Sequence, residues 1–268
     1  MKMKLTLKRI LTSVLAGVML ISSMARMSGC KEMIKEYFED GPVYVYGDFR
    51  YCYVYSINSR RPAKKETQYL AVIGLMPEAR EKKVIVVPKT IEGKPVSLIG
   101  LTRFMGTEGL SDTGTYRKIY IPDTVLRIAS SYEDVYHKKV FLMDDIKNFN
   151  FENREILFNG ANGLSHAECY VAETLYEEYQ SLIEGEDVGY IHIANLTSVV
   201  DGEVSWIDDY EEGEHITVPQ EPQKDGYVFA GWYEDEEYTD EWDFETETYH
   251  LEEESNTKNL YGKFIKQE

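Results

Sequence analysis

The sequence KVIVVPKTIEGKPVSLIG at residues 83–100 gives the clearest indication of the fold, and KIYIPDTVLRIAS at residues 118–130 repeats its pattern. Each copy has an apolar strand, a proline that ends it, a turn and a second apolar pair. Residues 140–149 form a third copy without the proline, and residues 155–158 and 167–171 form shorter ones. Such short units cannot bury their own apolar faces, but stacked units can. The pattern predicts a mainly β fold, a short irregular β solenoid, with a β-sandwich of similar strands as the alternative.

These copies resemble the BspA-like class of leucine-rich repeats, in which a strand ending in Ile-Pro is followed by Val, Ile-Gly and an Ala-Phe knob. The match rests on Val87-Pro88, Gly93-Lys94-Pro95-Val96, Ile99-Gly100, Ile121-Pro122, Val125 and Ile128, with Phe104 as the first knob. The insertion at residues 106–116 and the missing Cys-x-x-Leu depart from that class. The resemblance implies a β-rich, leucine-rich-repeat-like domain over residues 43–183.

Two tyrosine-rich strands precede the repeats, separated by the turn formers Gly47 and Asp48. Because side chains alternate along a strand, we expect some of these tyrosines to face water. Exposed tyrosines on a flat sheet can stack on sugar rings or contact a protein partner. The candidate binding surface is therefore Tyr44, Tyr46, Tyr51, Tyr53 and Tyr55. The alternative is that both faces of these strands are covered.

The character of the chain changes at residue 189. Residues 203–244, EVSWIDDYEEGEHITVPQEPQKDGYVFAGWYEDEEYTDEWDF, and residues 259–264, NLYGKF, resemble the internalin-type B repeat, also called the Listeria–Bacteroides repeat. The positions that carry the resemblance are Gly213, Ile216, Pro219, Pro222, Gly226-Tyr227, Phe229, Gly231-Trp232-Tyr233, Trp242, Phe244, Leu260-Tyr261 and Lys263-Phe264. The resemblance implies a small β-grasp-like module over residues 189–268.

Aromatic residues of this motif are numerous enough to form the core of so small a module. Burying one such ring contributes about 1.5–3 kcal/mol, and the expected core is Tyr227, Phe229, Trp232, Trp242, Phe244 and Tyr261. Asp208 and Asp209 stand where the family has paired glycines. We expect them, like the acidic run at residues 234–237, to lie in solvated turns, with a calcium site as the alternative.

Residues 1–29 are typical of an export signal. Four cations precede ILTSVLAGVMLIS at residues 10–22, an uncharged run shorter than the roughly 20 apolar residues that span a bilayer. The four residues Met27, Ser28, Gly29 and Cys30 resemble the lipobox of bacterial lipoproteins, whose thiol takes a diacylglycerol. This resemblance implies a lipid on Cys30, residues 30–42 as a tether, and a cell-surface location at the outer leaflet of the cytoplasmic membrane of a Gram-positive cell. An ordinary signal peptide or an uncleaved anchor is the alternative.

Charge divides the chain close to the place where the motifs change, at residue 184. Residues 184–268 contain 25 acidic residues and 4 lysines, a net of −21 within a formal total of −18. Residues 30–183 contribute only −2. This distribution excludes nucleic acid as a partner, because nucleic acid requires a basic footprint. It also argues against the acidic domain lying on anionic lipid, so the lipid on Cys30 is the expected membrane contact.

No catalytic constellation is visible in the sequence. It has no Gly-rich phosphate loop, Cys-x-x-Cys pair or Gly-x-Ser-x-Gly elbow, and its five histidines lack metal-ligand spacing. Cys52 and Cys169 could pair, but we favour two buried free thiols because they lie far apart in ordinary strand-like runs. We predict no enzyme activity, cofactor or metal.

The predicted function is that of a surface-tethered binding or adhesion protein for an extracellular protein or glycan. A structural spacer of the cell envelope is the alternative, and a hydrolase with an unrecognised site is a third interpretation.

Overall fold

The computed structural model describes residues 33–34, 41–59, 61–101, 118–128, 139–144, 168–183, 190–219, 221–251 and 257–267. This part of the chain is mainly β, as predicted, with strands in three sheets. Its one α-helix in the described ranges is α1 (Tyr176–Ile183), which follows a 3-10 turn at Glu173–Leu175; another 3-10 turn spans Pro77–Ala79. The signal segment, the lipobox residues 27–30, the Phe104 knob and the repeat copy at residues 155–158 lie outside the described residues.

The first sheet has the strand order β1-β2-β3-β4-β7-β6, with β9 also paired to β7. Its strands are β1 (Met33–Ile34), β2 (Val43–Tyr46), β3 (Phe49–Val54), β4 (Tyr69–Leu75), β6 (Thr90–Ile91), β7 (Lys94–Ile99) and β9 (Arg127–Ile128). Strand β1 lies within the expected tether and pairs antiparallel with β2. A two-residue turn joins β6 to β7; Glu92 and Gly93 both have positive φ, 51° and 75°, as a type I′ hairpin requires.

The second sheet is entirely parallel, in the order β12-β11-β10-β8-β5. Its strands are β5 (Val84–Val86), β8 (Lys118–Pro122), β10 (Lys139–Met143), β11 (Glu168–Val171) and β12 (Tyr190–Ile193). The two best repeat copies contribute equivalent strands to both sheets. Strand β5 pairs with β8 in the second sheet, and β7 pairs with β9 in the first.

One apolar core lies between these two sheets. Successive side chains of a strand point to opposite faces, so Ile119 and Ile121 of β8 point into this core while Tyr120 points out. From α1, Tyr179 is fully buried in the same core. A smaller cluster around Cys52 and Ile73 covers the other face of the first sheet. Both faces of the first sheet are therefore covered by apolar contacts.

The third sheet has the order β14-β13-β16-β15, from β13 (Leu196–Val200), β14 (Glu203–Asp208), β15 (Tyr227–Tyr233) and β16 (Lys258–Lys266). The pairs β13–β14 and β15–β16 are antiparallel, and the central strands β13 and β16 are parallel. Its buried core consists of Leu196, Tyr210, Ile216, Trp232, Trp242, Tyr249 and Leu260. Gly262 packs beneath Trp232, where an added Cβ would lie 3.0 Å from the indole. The larger side chain of an alanine would push these groups apart.

The boundary between the two domains differs from the sequence prediction. Strand β12 pairs with β11 over four residues, so it belongs to the second sheet rather than to a module beginning at residue 189. We therefore call residues 41–194 the first domain and residues 196–267 the second domain. The sequence prediction assigned β12 to the C-terminal module because the change in charge, at residue 184, comes before β12, which is the last strand of the parallel sheet.

Candidate functional site

A row of rings lies on the outer face of the second sheet, on the side away from the core. Parallel strands in register place equivalent residues side by side, about 4.8 Å apart, so Tyr120, Phe141, Tyr170 and His192 adjoin one another. Successive ring centroids are 4.7, 5.1 and 5.2 Å apart, all stacked. The first three rings are buried, and their cover is the second domain. We call these four residues the aromatic row.

Trp206 of β14 extends the aromatic row at the β5 edge of the sheet. Its ring stacks on Tyr120 with centroids 4.2 Å apart, and it packs with Val204 and Ile207 against the same cluster. The sheet neighbour of Tyr120 on that side is Val86, whose short side chain is 42% exposed. The second domain thus supplies, beside Tyr120, an aromatic ring that β5 lacks.

Four charged residues, which we call the joint, hold the domains together beside the aromatic row. The ammonium of Lys118 lies 2.7 Å from Oδ1 of Asp208, donates to the carbonyl of Asp209 at 3.1 Å, and lies 4.0 Å from the ring centroid of Tyr210. Lys139, the register neighbour of Lys118, lies 2.5 Å from Oδ2 of Asp209. The side chain of Asp208 is only 3% exposed. The prediction that Asp208 and Asp209 form a solvated turn is wrong, because both carboxylates face lysines of the first domain.

Burial and these charges act on the neighbouring phenols. Burial raises the pKa of Tyr120 above its ordinary range, and the carboxylate of Asp208 raises it further. Burial likewise raises the pKa of Tyr210, with Asp208 again the second cause. For Tyr170, burial is the main cause of a raised pKa, and Asp209 adds to it. The phenols therefore remain neutral at physiological pH, and they share the two carboxylates with the two lysines.

A cleft opens between the domains where Trp206 overhangs the β5 edge. It consists of two adjoining cavities of about 480 and 800 Å³, which share Val86, Pro88, Tyr120 and Trp206 in their walls. Volumes of this order are typical of ligand sites. The larger cavity is bordered by Val84 and Val218, which are 37% and 60% exposed. The apolar residues that border the larger cavity are thus accessible from solvent.

Polar groups surround the smaller cavity. Lys89, in the turn after β5, forms an ion pair with Asp123 at 3.0 Å, and Ser205 of β14 also lines the cavity. Asp144, at the end of β10, accepts a hydrogen bond from the Tyr179 hydroxyl. Each of these two carboxylates therefore has a partner within the first domain. The arrangement offers an aromatic face beside donors and acceptors, which is the chemistry of a binding site.

The predicted tyrosine surface is wrong for Tyr51 and Tyr53. Both rings are 1% exposed and lie in the core between the first two sheets, and Tyr44 packs on them with centroid distances of 5.4 and 5.6 Å. Only Tyr46 and Tyr55 are exposed, at 38% and 58%. The alternative interpretation, that both faces of these strands are covered, explains the difference.

The predicted core of the C-terminal motif largely lies where expected. Trp232 and Trp242 are buried, and Phe229 and Phe244 pack against the same cluster. Tyr227 and Tyr261 are half-buried outside it, with Tyr227 packed edge-on against Phe264. The motif did not reveal Tyr210 and Tyr249, which complete the cluster.

The other candidate residues from the sequence are two cysteines and the acidic run at residues 234–237, and their local surroundings explain them. Cys52 and Cys169 are free and buried, as favoured, and burial raises the pKa of each to about 12. Asp235 in the acidic run accepts hydrogen bonds from the backbone of Thr239 and Asp240, so it caps a turn. Within the described ranges, no group of three or more histidine, cysteine or acidic side chains is placed to hold a metal ion. No helix in those ranges is long and apolar enough to cross a membrane.

Comparisons with known proteins bear on the second domain. Residues 197–261 match the Listeria-Bacteroides repeat domain. A protein of Evansella cellulosilytica described as "Putative membrane protein" is 55% identical over 38 residues, which cover 14% of this chain and 6% of that protein. Another from the same organism, described as "Putative Gly-rich membrane protein", is 44% identical over 54 residues, which cover 20% of this chain and 6% of that protein. The similar segment is thus a small part of each relative, and the chain contains a Listeria-Bacteroides repeat domain at residues 197–261.

Proposed function

We propose that this chain is a bacterial surface lipoprotein that binds an extracellular protein or glycan in the cleft between its two domains. The observation that carries the proposal is the cleft itself, with Trp206 overhanging the solvent-accessible valines of β5. Accessible apolar surface beside an aromatic anchor is characteristic of binding sites. No enzyme activity is part of the proposal.

The fold interpretation behind the proposal has two parts. In the first domain, each repeat copy is one coil of a short, BspA-like solenoid, which is consistent with the parallel pairing of β5 with β8 and of β7 with β9. In the second domain, the sheet order with two parallel central strands is consistent with a β-grasp-like module.

The anchor in this proposal is a lipid on Cys30, supported by the residues 27–30 and by the membrane-protein names of the two relatives. The acidic second domain would be repelled by anionic lipid. The lipid therefore holds the chain at the outer leaflet while the cleft stands away from the membrane.

A spacer is the second candidate function, and the joint favours it. Two ion pairs and a continuous stack of rings hold the domains in one arrangement. A rigid unit of this kind would keep a neighbouring protein at a set distance. The two candidates differ in whether the cleft is occupied.

The anchor is tested by growing expressing cells with an alkyne-labelled palmitate and comparing the wild type with Cys30→Ala. We expect Cys30→Ala to lose the label and to leave the membrane fraction. Cys52→Ala is the matched control, because it removes a buried thiol of the first domain and should keep the label. Equal labelling of wild type and Cys30→Ala would end the lipoprotein proposal.

Binding is tested on the same cells by measuring capture of soluble extracellular proteins and glycans. We expect capture by the wild type and its loss in Val86→Glu, which places a charge on the accessible floor of the cleft. Val228→Glu is the control, since Val228 is exposed on the second domain away from the cleft. Unchanged capture in Val86→Glu would show that binding occurs outside the cleft and would end the cleft proposal, whereas absence of capture by the wild type would favour the spacer.

A further inference from the structure

We infer that the smaller cavity of the cleft binds an uncharged sugar ring, stacked on Trp206. The inference rests on the proposed function, because it names the ligand class of the same cleft. The cavity, of about 480 Å³, has the indole on one wall and hydrogen-bonding side chains on another.

The aromatic wall is held in place before a ligand arrives. One face of Trp206 stacks on Tyr120 at 4.2 Å, and the indole is only half-buried, so part of its surface faces the cleft. The face of an aromatic ring carries negative potential, which attracts the C–H hydrogens on the flat face of a pyranose. Because the indole is already fixed by the aromatic row, binding costs little conformational entropy.

The polar side chains that line the cavity provide both hydrogen-bond donors and acceptors, as sugar hydroxyls do. Lys89 and Asp123, 3.0 Å apart, present donors and acceptors side by side, and Thr90 also lines the cavity. The Ser205 hydroxyl donates to the carbonyl of Ser198 at 3.1 Å, which leaves its oxygen available as an acceptor. A sugar ring presents adjacent hydroxyls that act as donors and acceptors at once, so it can use both types of group.

The charges of the residues that line the cavity indicate which class of sugar it would bind. The lining contains one lysine, Lys89, against two carboxylates, Asp123 and Asp144. The adjoining second domain lies within a segment of net charge −21. Uronic, sialic and sulfated sugars would enter a negative field, whereas neutral hexoses and N-acetylhexosamines would not. The ligand is therefore a neutral glycan.

The test uses the full-length protein in a detergent without a sugar headgroup, such as a dimethylamine oxide, since a maltoside would compete. Cellohexaose, chitohexaose, mannohexaose and xylohexaose are titrated, with heparin and hyaluronan as anionic comparisons. Tryptophan fluorescence reports on the cleft directly, because Trp232 and Trp242 are buried in the second domain at 3% and 5% exposure. Calorimetry gives the affinity independently.

We expect saturable binding of at least one neutral oligosaccharide and no binding of the polyanions. Trp206→Ala should weaken binding at least tenfold and remove the fluorescence change, whereas Trp206→Phe, which keeps a ring against Tyr120, should lose less. Lys89→Ala lies away from the joint and should weaken binding several-fold. Tyr190→Ala removes a ring that is 78% exposed at the opposite edge of the same sheet, and it should bind like the wild type.

Equal sugar binding by wild type and Trp206→Ala would overturn the inference, as would a preference for the polyanions. If no neutral oligosaccharide binds while whole cells still capture a protein through the cleft, the sugar inference fails and the proposed function stands. If the cells capture neither proteins nor glycans, both fail together.

Discussion

The two faces of the second sheet come from the same strands yet meet different partners. The inner face contributes aliphatic side chains such as Ile119, Ile121, Val140 and Leu142 to the core against the first sheet. The outer face contributes the aromatic row, whose first three rings the second domain covers through stacking and two ion pairs. Aliphatic packing is non-directional, whereas stacked rings and ion pairs specify an orientation. The inner face therefore stabilises the fold, and the outer face sets how the two domains sit.

The largest effect is expected on the inner face. Ile119→Ala removes a side chain that is 1% exposed and should lower the free energy of unfolding by about 2–5 kcal/mol. Urea denaturation followed by circular dichroism measures it. Val84→Ala, on the neighbouring strand but 37% exposed, is the control and should change stability by about 0.5 kcal/mol at most. Similar losses in the two variants would contradict the assignment of faces.

The next effect is expected at the joint. Asp208→Asn keeps the shape of the side chain but leaves Lys118 without its charge partner. Breaking a buried pair costs about 3–5 kcal/mol, and because the Lys118 side chain retains 17% exposure, we expect about 1–3 kcal/mol. A red shift of Trp206 emission should accompany the loss as the second domain moves away.

Asp225→Asn provides a control for that variant, because Asp225 is an exposed acid of the same domain. Its stability and emission should match the wild type. If Asp208→Asn also matches the wild type in both measurements, the ion pairs do not hold the domains together.

Alkaline pH is expected to lower the stability of the folded protein. The folded protein raises the pKa of Tyr120, Tyr170 and Tyr210, and burial raises that of Cys169 to about 12. In the unfolded chain these groups lose protons near their ordinary values of about 10 for tyrosine and about 8.5 for cysteine. The unfolded state then binds fewer protons than the folded state, so stability falls as pH rises.

We therefore expect a stable urea midpoint up to about pH 8.5 and a progressive decline above it, steepest beyond about pH 10. Tyr120→Phe should reduce that decline, because it removes one of the buried phenols. A midpoint independent of pH up to about pH 11 would contradict this linkage.

The smallest effect concerns reactivity rather than stability. Cys169 lies on the inner face and is buried, and burial raises its pKa. A thiol reagent at about pH 8 should react at least about a hundredfold more slowly with it in the native protein than in concentrated urea, because reaction requires opening of the core. Fast modification of Cys169 in the native state would show that the inner face opens readily. A background in which Cys30 and Cys52 are both replaced by alanine isolates the signal of Cys169.

Several parts of the fold were predictable from local sequence patterns. Apolar alternation with a terminal proline marks β8 at residues 118–122, and the glycine and aromatic spacing around Trp232 marks the repeat domain. Both signals are readable because they depend on neighbours within a few residues along the chain. The tyrosines of β3 show the limit. The alternation of side chains along β3 distinguishes its two faces but does not indicate which face is buried. In the structure both faces are buried.

Local sequence patterns are sufficient to identify the strand copies, the Listeria-Bacteroides repeat and the concentration of negative charge in the C-terminal segment. The packing of the two domains, in contrast, is needed to see that Asp208 and Asp209 meet Lys118 and Lys139, that Trp206 extends the aromatic row, and that a cleft lies beside it. These contacts join residues that are far apart along the chain. Lys118 and Asp208 are separated by 90 residues, and a local sequence pattern does not indicate which charges meet when two sheets pack against each other.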